Sequence, residues 1–138
     1  MVLIIRKDMT HLSAFNASLE AVAAHCEDVV PPVYAALFER FPDFEDLFVL
    51  DIDLGVRGHM LNEALSMAEG LLRDDQMAVS FVSAERMNHE GYGIGDDVFD
   101  GFYQVMADVF QAIATTAWTP EMSAAWNAVS AAAAKAKL

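Results

Sequence analysis

The stretch HEGYGIGDDVF, residues 89–99, sets a histidine beside a run of glycines and follows them with two aspartates and an apolar pair. Glycine permits the sharp turn that closes a helix, and aspartate suits the start of the next one, where its oxygens cap free amides and its charge complements the dipole. The stretch therefore predicts a helix ending at His89, a tight turn, and a new helix capped by Asp96. His89 then stands at a helix terminus. There it is either a polar C-cap favoured by the dipole or a ligand whose second ring nitrogen is held by a nearby carbonyl.

Working outward, the C-terminal side is strongly periodic. Val98, Phe99, Phe102, Met106, Val109, Phe110 and Ile113 form one long apolar stripe at helical spacing. Thr119 caps a last helix with Pro120 in its first position, and Met122, Ala125, Trp126 and Val129 form its inner face. On the N-terminal side lie a shorter helix from Met77 to His89 and an amphipathic helix from Val56 to Leu72. Before them FPDFEDLF, residues 41–48, breaks at Pro42 into a short, acidic, aromatic-rich turn. A helix starting near Pro31 and Pro32 carries Val33, Tyr34, Leu37 and Phe38 along one side, and a first helix aligns Leu12, Phe15, Leu19, Val22, Ala23 and Cys26. Strand-like alternation is almost absent. Six to eight helices joined by short links predict an all-α fold, and 138 residues suit one domain, 1–138, around one core.

Charge narrows the function classes. Against 21 acidic side chains there are 8 basic ones, a formal net charge of −13, which repels a phosphate backbone and an anionic bilayer alike. No nucleic-acid or membrane partner is expected. Cys26 is the only cysteine, so no internal disulfide can form. The opening MVLIIRKDMT has too short an apolar run for a signal peptide, and no window approaches the roughly 18 apolar residues of a membrane span. A cytoplasmic protein is the expectation.

The order VYAALFERFPDFEDLF, HEGYGIGDDVF and TPEMSAAWNAV, from about residue 12 to 134, resembles the globin family, in particular single-domain bacterial haemoglobins and the haem domain of flavohaemoglobins. The resemblance implies a globin fold packed around haem b (iron protoporphyrin IX). It implies His89 as the proximal iron ligand, Phe48 as the ring wedged against the haem, and Tyr34 as a hydrogen-bond donor to bound oxygen, with Phe99 lining the haem's inner side. For the three aromatic residues core packing is the alternative. Glu85 departs from the family pattern, standing where globins usually place an apolar residue beneath the haem. The distal position stays open. The motif shape favours His59; periodicity favours Met60, which turns Ala64, Leu65, Ala68, Leu71 and Leu72 inward; Arg57 is a third register, with Leu61 and Leu65 inside.

The same resemblance implies reversible binding of O2, NO or CO, with a role in oxygen storage or in oxidation of nitric oxide to nitrate, a separate reductase restoring the iron after each turnover. The alternative is a regulatory module, with or without haem, acting through a protein partner; monomer and homodimer are both open. DIDLGVRGHMLNE, residues 51–63, has its glycine and glutamate one place off a calcium loop and reads as a solvated acidic connector. His11 and His25 are expected to be exposed. Met60, Met67, Met77, Met87, Met106 and Met122 are expected to fill core space.

Overall fold

The computed structural model describes residues 2–137, with side chains from His11 to Lys137. Among the described residues there are six α-helices and two 3-10 helices and no strand. They are α1 (Val2–Ala23), α2 (Val30–Arg40), a 3-10 helix (Pro42–Phe48), α3 (Gly55–Leu72), α4 (Gln76–Gly91), α5 (Asp96–Ala114), a second 3-10 helix (Thr115–Ala117) and α6 (Pro120–Lys135).

The core forms where α1, α5 and α6 bring their apolar stripes together. Phe15 of α1 meets Trp126 of α6 at 5.0 Å between ring centroids, and Phe110 of α5 stands edge-on to the same indole at 5.5 Å. Burying an indole demands a partner for its N–H. Ser18 supplies it: Trp126 Nε1 donates to Ser18 Oγ at 3.0 Å, and the Ser18 hydroxyl donates to the Phe15 carbonyl at 2.6 Å. Thr119 and Pro120 start α6 as expected, with Thr119 Oγ1 accepting from the Met122 amide at 3.2 Å.

The other half of the molecule leaves space between α3 and α4. These helices meet tightly at one end, where a Cβ on Gly70 would lie 2.7 Å from that of Ala78. Only glycine permits that approach. The start of α3 shows what the acidic connector does. Asp51 accepts from the amides of Val56 and Arg57 at 2.9 and 3.0 Å, capping the helix from outside while Leu54 takes up a left-handed conformation at φ 62°. Desolvation opposes the charge on Asp51, but these two amides and the Arg57 guanidinium outweigh it and hold its carboxyl below the ordinary aspartate value.

Four expectations need correction. Helix α4 runs past His89 to Gly91, and the turn comes at Gly93, φ 85°, whose amide donates to the Glu90 carbonyl while that of Ile94 donates to His89. This pair of bonds is a Schellman closure, which requires a left-handed residue one place beyond the cap. Gly95, not Asp96, occupies the cap position of α5, because the Asp96 carboxylate is drawn instead to Arg86 at 3.0 Å. Met77 and Met87 lie on the surface, 80% and 63% exposed, because the buried face of α4 is the one carrying Ala78, Val82, Ser83 and Arg86. Met106 and Met122 are buried as expected; His25 is exposed, whereas His11 is half-buried.

Candidate functional site

Between α3 and α4, roofed by α2 and floored by α5, lies a cavity of about 220 Å³. A single water needs only about 10–15 Å³ on such a measure, so this is a binding-sized space and not a packing defect. Its walls are almost wholly apolar, and Tyr34, Phe48, His59, Met60, His89 and Phe99 all border it. The sequence-predicted residues, from five elements and 65 positions apart at the extremes (34 to 99), thus converge on one space.

His89 is fixed from several sides. Its Nδ1 lies 2.7 Å from the Glu85 carbonyl, its own carbonyl is engaged by the Schellman turn, and Phe99 packs edge-on against its ring at 5.2 Å. An Nδ1–H donating to that carbonyl leaves Nε2 as an unprotonated donor nitrogen, the form a metal requires. The Glu85 side chain also borders the cavity, with Oε2 3.8 Å from the same Nδ1.

Tyr34 is buried on α2, among Phe38, Phe48 and Phe102 at 5.6–5.9 Å between centroids. Its hydroxyl has no hydrogen-bond partner among the described residues. Buried hydroxyls are rarely left so, and one that borders a cavity points to a missing partner. Burial pushes its phenol well above the ordinary tyrosine value, Arg57 pulling it back and Asp51 adding to the rise, so at neutral pH it is an O–H donor. Phe48 completes the cluster, with the Arg57 guanidinium 5.6 Å from its ring centre.

Helix α3 turns Met60, Glu63, Ala64 and Met67 to the cavity and Leu61, Ala68 and Leu71 to the core. His59 sits at the cavity's outer edge, its side chain 74% exposed and its Nε2 3.6 Å from Glu63. Met60, next to it, is half-buried. Arg57 does not border the cavity; it is consumed by Asp51, to which its Nε donates at 3.0 Å.

Two residues that matter here went unnoticed in the sequence. Tyr103 borders the cavity and donates its hydroxyl to the Ala64 carbonyl at 3.1 Å, tying α5 to α3. Arg86, only 5% exposed, donates to Asp96 at 3.0 Å, to Asp100 at 2.7 Å and to the Ala133 carbonyl at 2.8 Å, and lies 4.8 Å over the Phe99 ring. Together they join α4 to α5 and α6 beside His89. The signal for Arg86 was the pair Asp96 and Asp100, one turn apart on the facing helix.

An all-helical chain thus sets an imidazole and a phenol with no hydrogen-bond partner among the described residues around one apolar cavity. A family model described as Globin matches residues 32–136, and the chain belongs to the globin family. Comparison with curated proteins and with solved structures gives no significant match. Membership implies haem as the cofactor, and the residues fit it: an imidazole beside an apolar slot with aromatic walls, and a buried hydroxyl with no partner among the described residues. Among the described residues no helix is long and apolar enough to cross a membrane.

Proposed function

We propose that this chain is a haem b globin, one domain over its whole length, that binds a diatomic gas reversibly. His89 Nε2 is the proximal ligand, and Phe48 and Phe99 hold the ring. Haem, when bound, supplies an iron able to take up O2, NO or CO. The unpartnered Tyr34 hydroxyl is the observation that carries the reading, since a gas polarised by the metal would accept its proton. Of the two distal candidates, Met60 lies further inside, which leaves Tyr34 as the principal donor, and His59 stands with Glu63 at the entrance. Cysteine placement supports the b type over a covalently attached haem: Cys26 is the only thiol and does not border the cavity, so no thioether attachment is at hand.

Storage of oxygen and oxidation of nitric oxide to nitrate would use the same residues. The second needs an external electron donor, and the −13 charge favours a basic reductase at a cytoplasmic location. A regulatory role is the second reading. It draws on the exposed apolar corner of Leu47, Val49, Leu50 and Ile52, flanked by Asp43, Glu45, Asp46 and Asp53, which adjoins the cavity through Phe48 and suits a partner with a basic-rimmed apolar face.

Titration of the purified chain with hemin, followed by spectra of the ferric, ferrous and CO-bound forms, tests the proposal. A sharp Soret band that shifts with CO is expected, and its loss in His89→Ala with recovery on adding imidazole assigns the ligand. A chain that takes up no hemin refutes the gas-binding reading and leaves the regulatory one.

A further inference from the structure

Among the described residues eighteen border the cavity and none is lysine or arginine, whereas two, Glu63 on α3 and Glu85 on α4, are carboxylates. The resemblance to other globins puts an apolar residue at position 85, so a charge there has no role in simple packing. Its placement is specific. Glu85 lies one helical turn before His89, with Oε2 3.8 Å from the same Nδ1 that its carbonyl engages at 2.7 Å. Among the described residues no lysine or arginine pairs with it: the Asn88 amide lies at 3.5 Å, and Arg86, next in sequence, is taken up by Asp96, Asp100 and the Ala133 carbonyl.

We propose that Glu85 is a positioning residue whose carboxylate strengthens His89 as a metal donor and so biases the iron toward its ferric state. The inference rests on the haem reading above. A negative charge beside an imidazole N–H draws the proton outward and gives the ring anionic character, which makes the opposite nitrogen a better donor. A stronger donor favours the more highly charged metal, and with the Glu85 side chain 37% exposed water screens part of the effect without removing it. A carbonyl alone, as an apolar residue 85 would leave, supplies only a dipole.

The test uses the full chain loaded with hemin and titrated by spectroelectrochemistry. In Glu85→Gln, which keeps size and polarity, the ferric-to-ferrous ratio at a fixed ambient potential should fall on the order of tenfold, equivalent to about 59 mV for a one-electron couple. The iron–imidazole stretch of the ferrous form should move to lower frequency, which a loss of packing alone would not produce. Glu85→Leu should act in the same direction and serves if the glutamine variant folds poorly. Glu63→Gln removes an equal charge from the cavity without touching His89, and its effect should stay below about threefold. A Glu85→Gln ratio within about twofold of the parent, or equal effects of the two substitutions, overturns the proposal while haem binding stands. Failure of the parent to take up hemin overturns both.

Discussion

Replacing Tyr34 by phenylalanine should move stability and ligand retention in opposite directions. The Tyr34 hydroxyl is buried without a partner among the described residues, and leaving such a group unsatisfied costs about 1–3 kcal/mol. Phenylalanine keeps the contacts with Phe38, Phe48 and Phe102 and discards that cost, so Tyr34→Phe should raise stability by up to the same amount. At roughly 3–4 °C per kcal/mol for a domain of this size, the melting temperature should rise by several degrees. With gas bound the account reverses, because the hydroxyl then donates to a partly anionic acceptor, a bond worth about 1.5–3 kcal/mol. Its loss should speed O2 dissociation roughly 10- to 150-fold. Calorimetry of the hemin-free protein and stopped-flow displacement of O2 by CO measure the two halves separately. A variant that melts lower than its parent would mean that the hydroxyl is already satisfied in the folded chain. An unchanged dissociation rate would assign the donor elsewhere, with His59 the next residue to replace.

Arg86→Ala removes the partner of Asp100 and uncovers the Ala133 carbonyl, while Asp96, half-exposed, keeps Lys137 at 3.4 Å, so it should cost about 1–3 kcal/mol, measured by urea unfolding; a loss below about 0.5 kcal/mol would make the network ornamental. Ser18→Ala removes a small side chain but leaves the Trp126 N–H buried and unpaired, and should cost about 1–3 kcal/mol by the same measurement, more than its volume implies. Acid should destabilise the fold through Asp51 and Asp96, both held below the ordinary aspartate value near about 3.9. A depressed folded-state value gives stability that is complete above the unfolded value and is lost as pH falls through the folded one. Melting curves from pH 5 to 2 should therefore drop steeply below about pH 4, and Asp51→Asn should flatten that drop; a parallel curve would place the acid sensitivity elsewhere.

What the sequence discloses is set by how local each determinant is. The stripes of α5 and α6 obey one period over four or more turns, so Met106, Phe110, Trp126 and Val129 could be assigned to the core without knowing their neighbours. Meeting of Tyr34, Phe48, His89 and Phe99 in one cavity is a tertiary fact, and family resemblance, not periodicity, anticipated it. The distal register resisted because adjacent helix positions differ by about 100°, so His59 and Met60 both border an opening that wide. Arg86 was invisible because a lone arginine among Glu85, Met87 and Asn88 reads as solvated. Only the folded chain brings it against a carbonyl 47 residues later. Asp96 was misread for the same reason: its capping propensity is local, but the ion pair that overrode it is not.

That network bears on why His89 faces inward. A histidine that only capped a helix would turn its ring to water, where the dipole is favourable and no cavity is needed. Here the ring lies against Phe99, whose face is covered by the Arg86 guanidinium at 4.8 Å, and Arg86 is anchored to the closing turns of α6. Moving the imidazole outward would uncover the edge of Phe99, whose other contact, the Arg86 guanidinium, is held in place by Asp96, Asp100 and the Ala133 carbonyl. The end of the chain thus holds the imidazole in place before any ligand arrives, and the carbonyl on Nδ1 selects the tautomer. Preorganisation of this kind reduces the ordering cost of binding. It also ties affinity to α6: loosening its C-terminal turn should weaken hemin retention although no residue of α6 borders the cavity. Truncation after Val129 followed by transfer of hemin to an apo-globin acceptor measures this, and a transfer rate equal to the parent's would show that the imidazole is held by α4 and α5 alone.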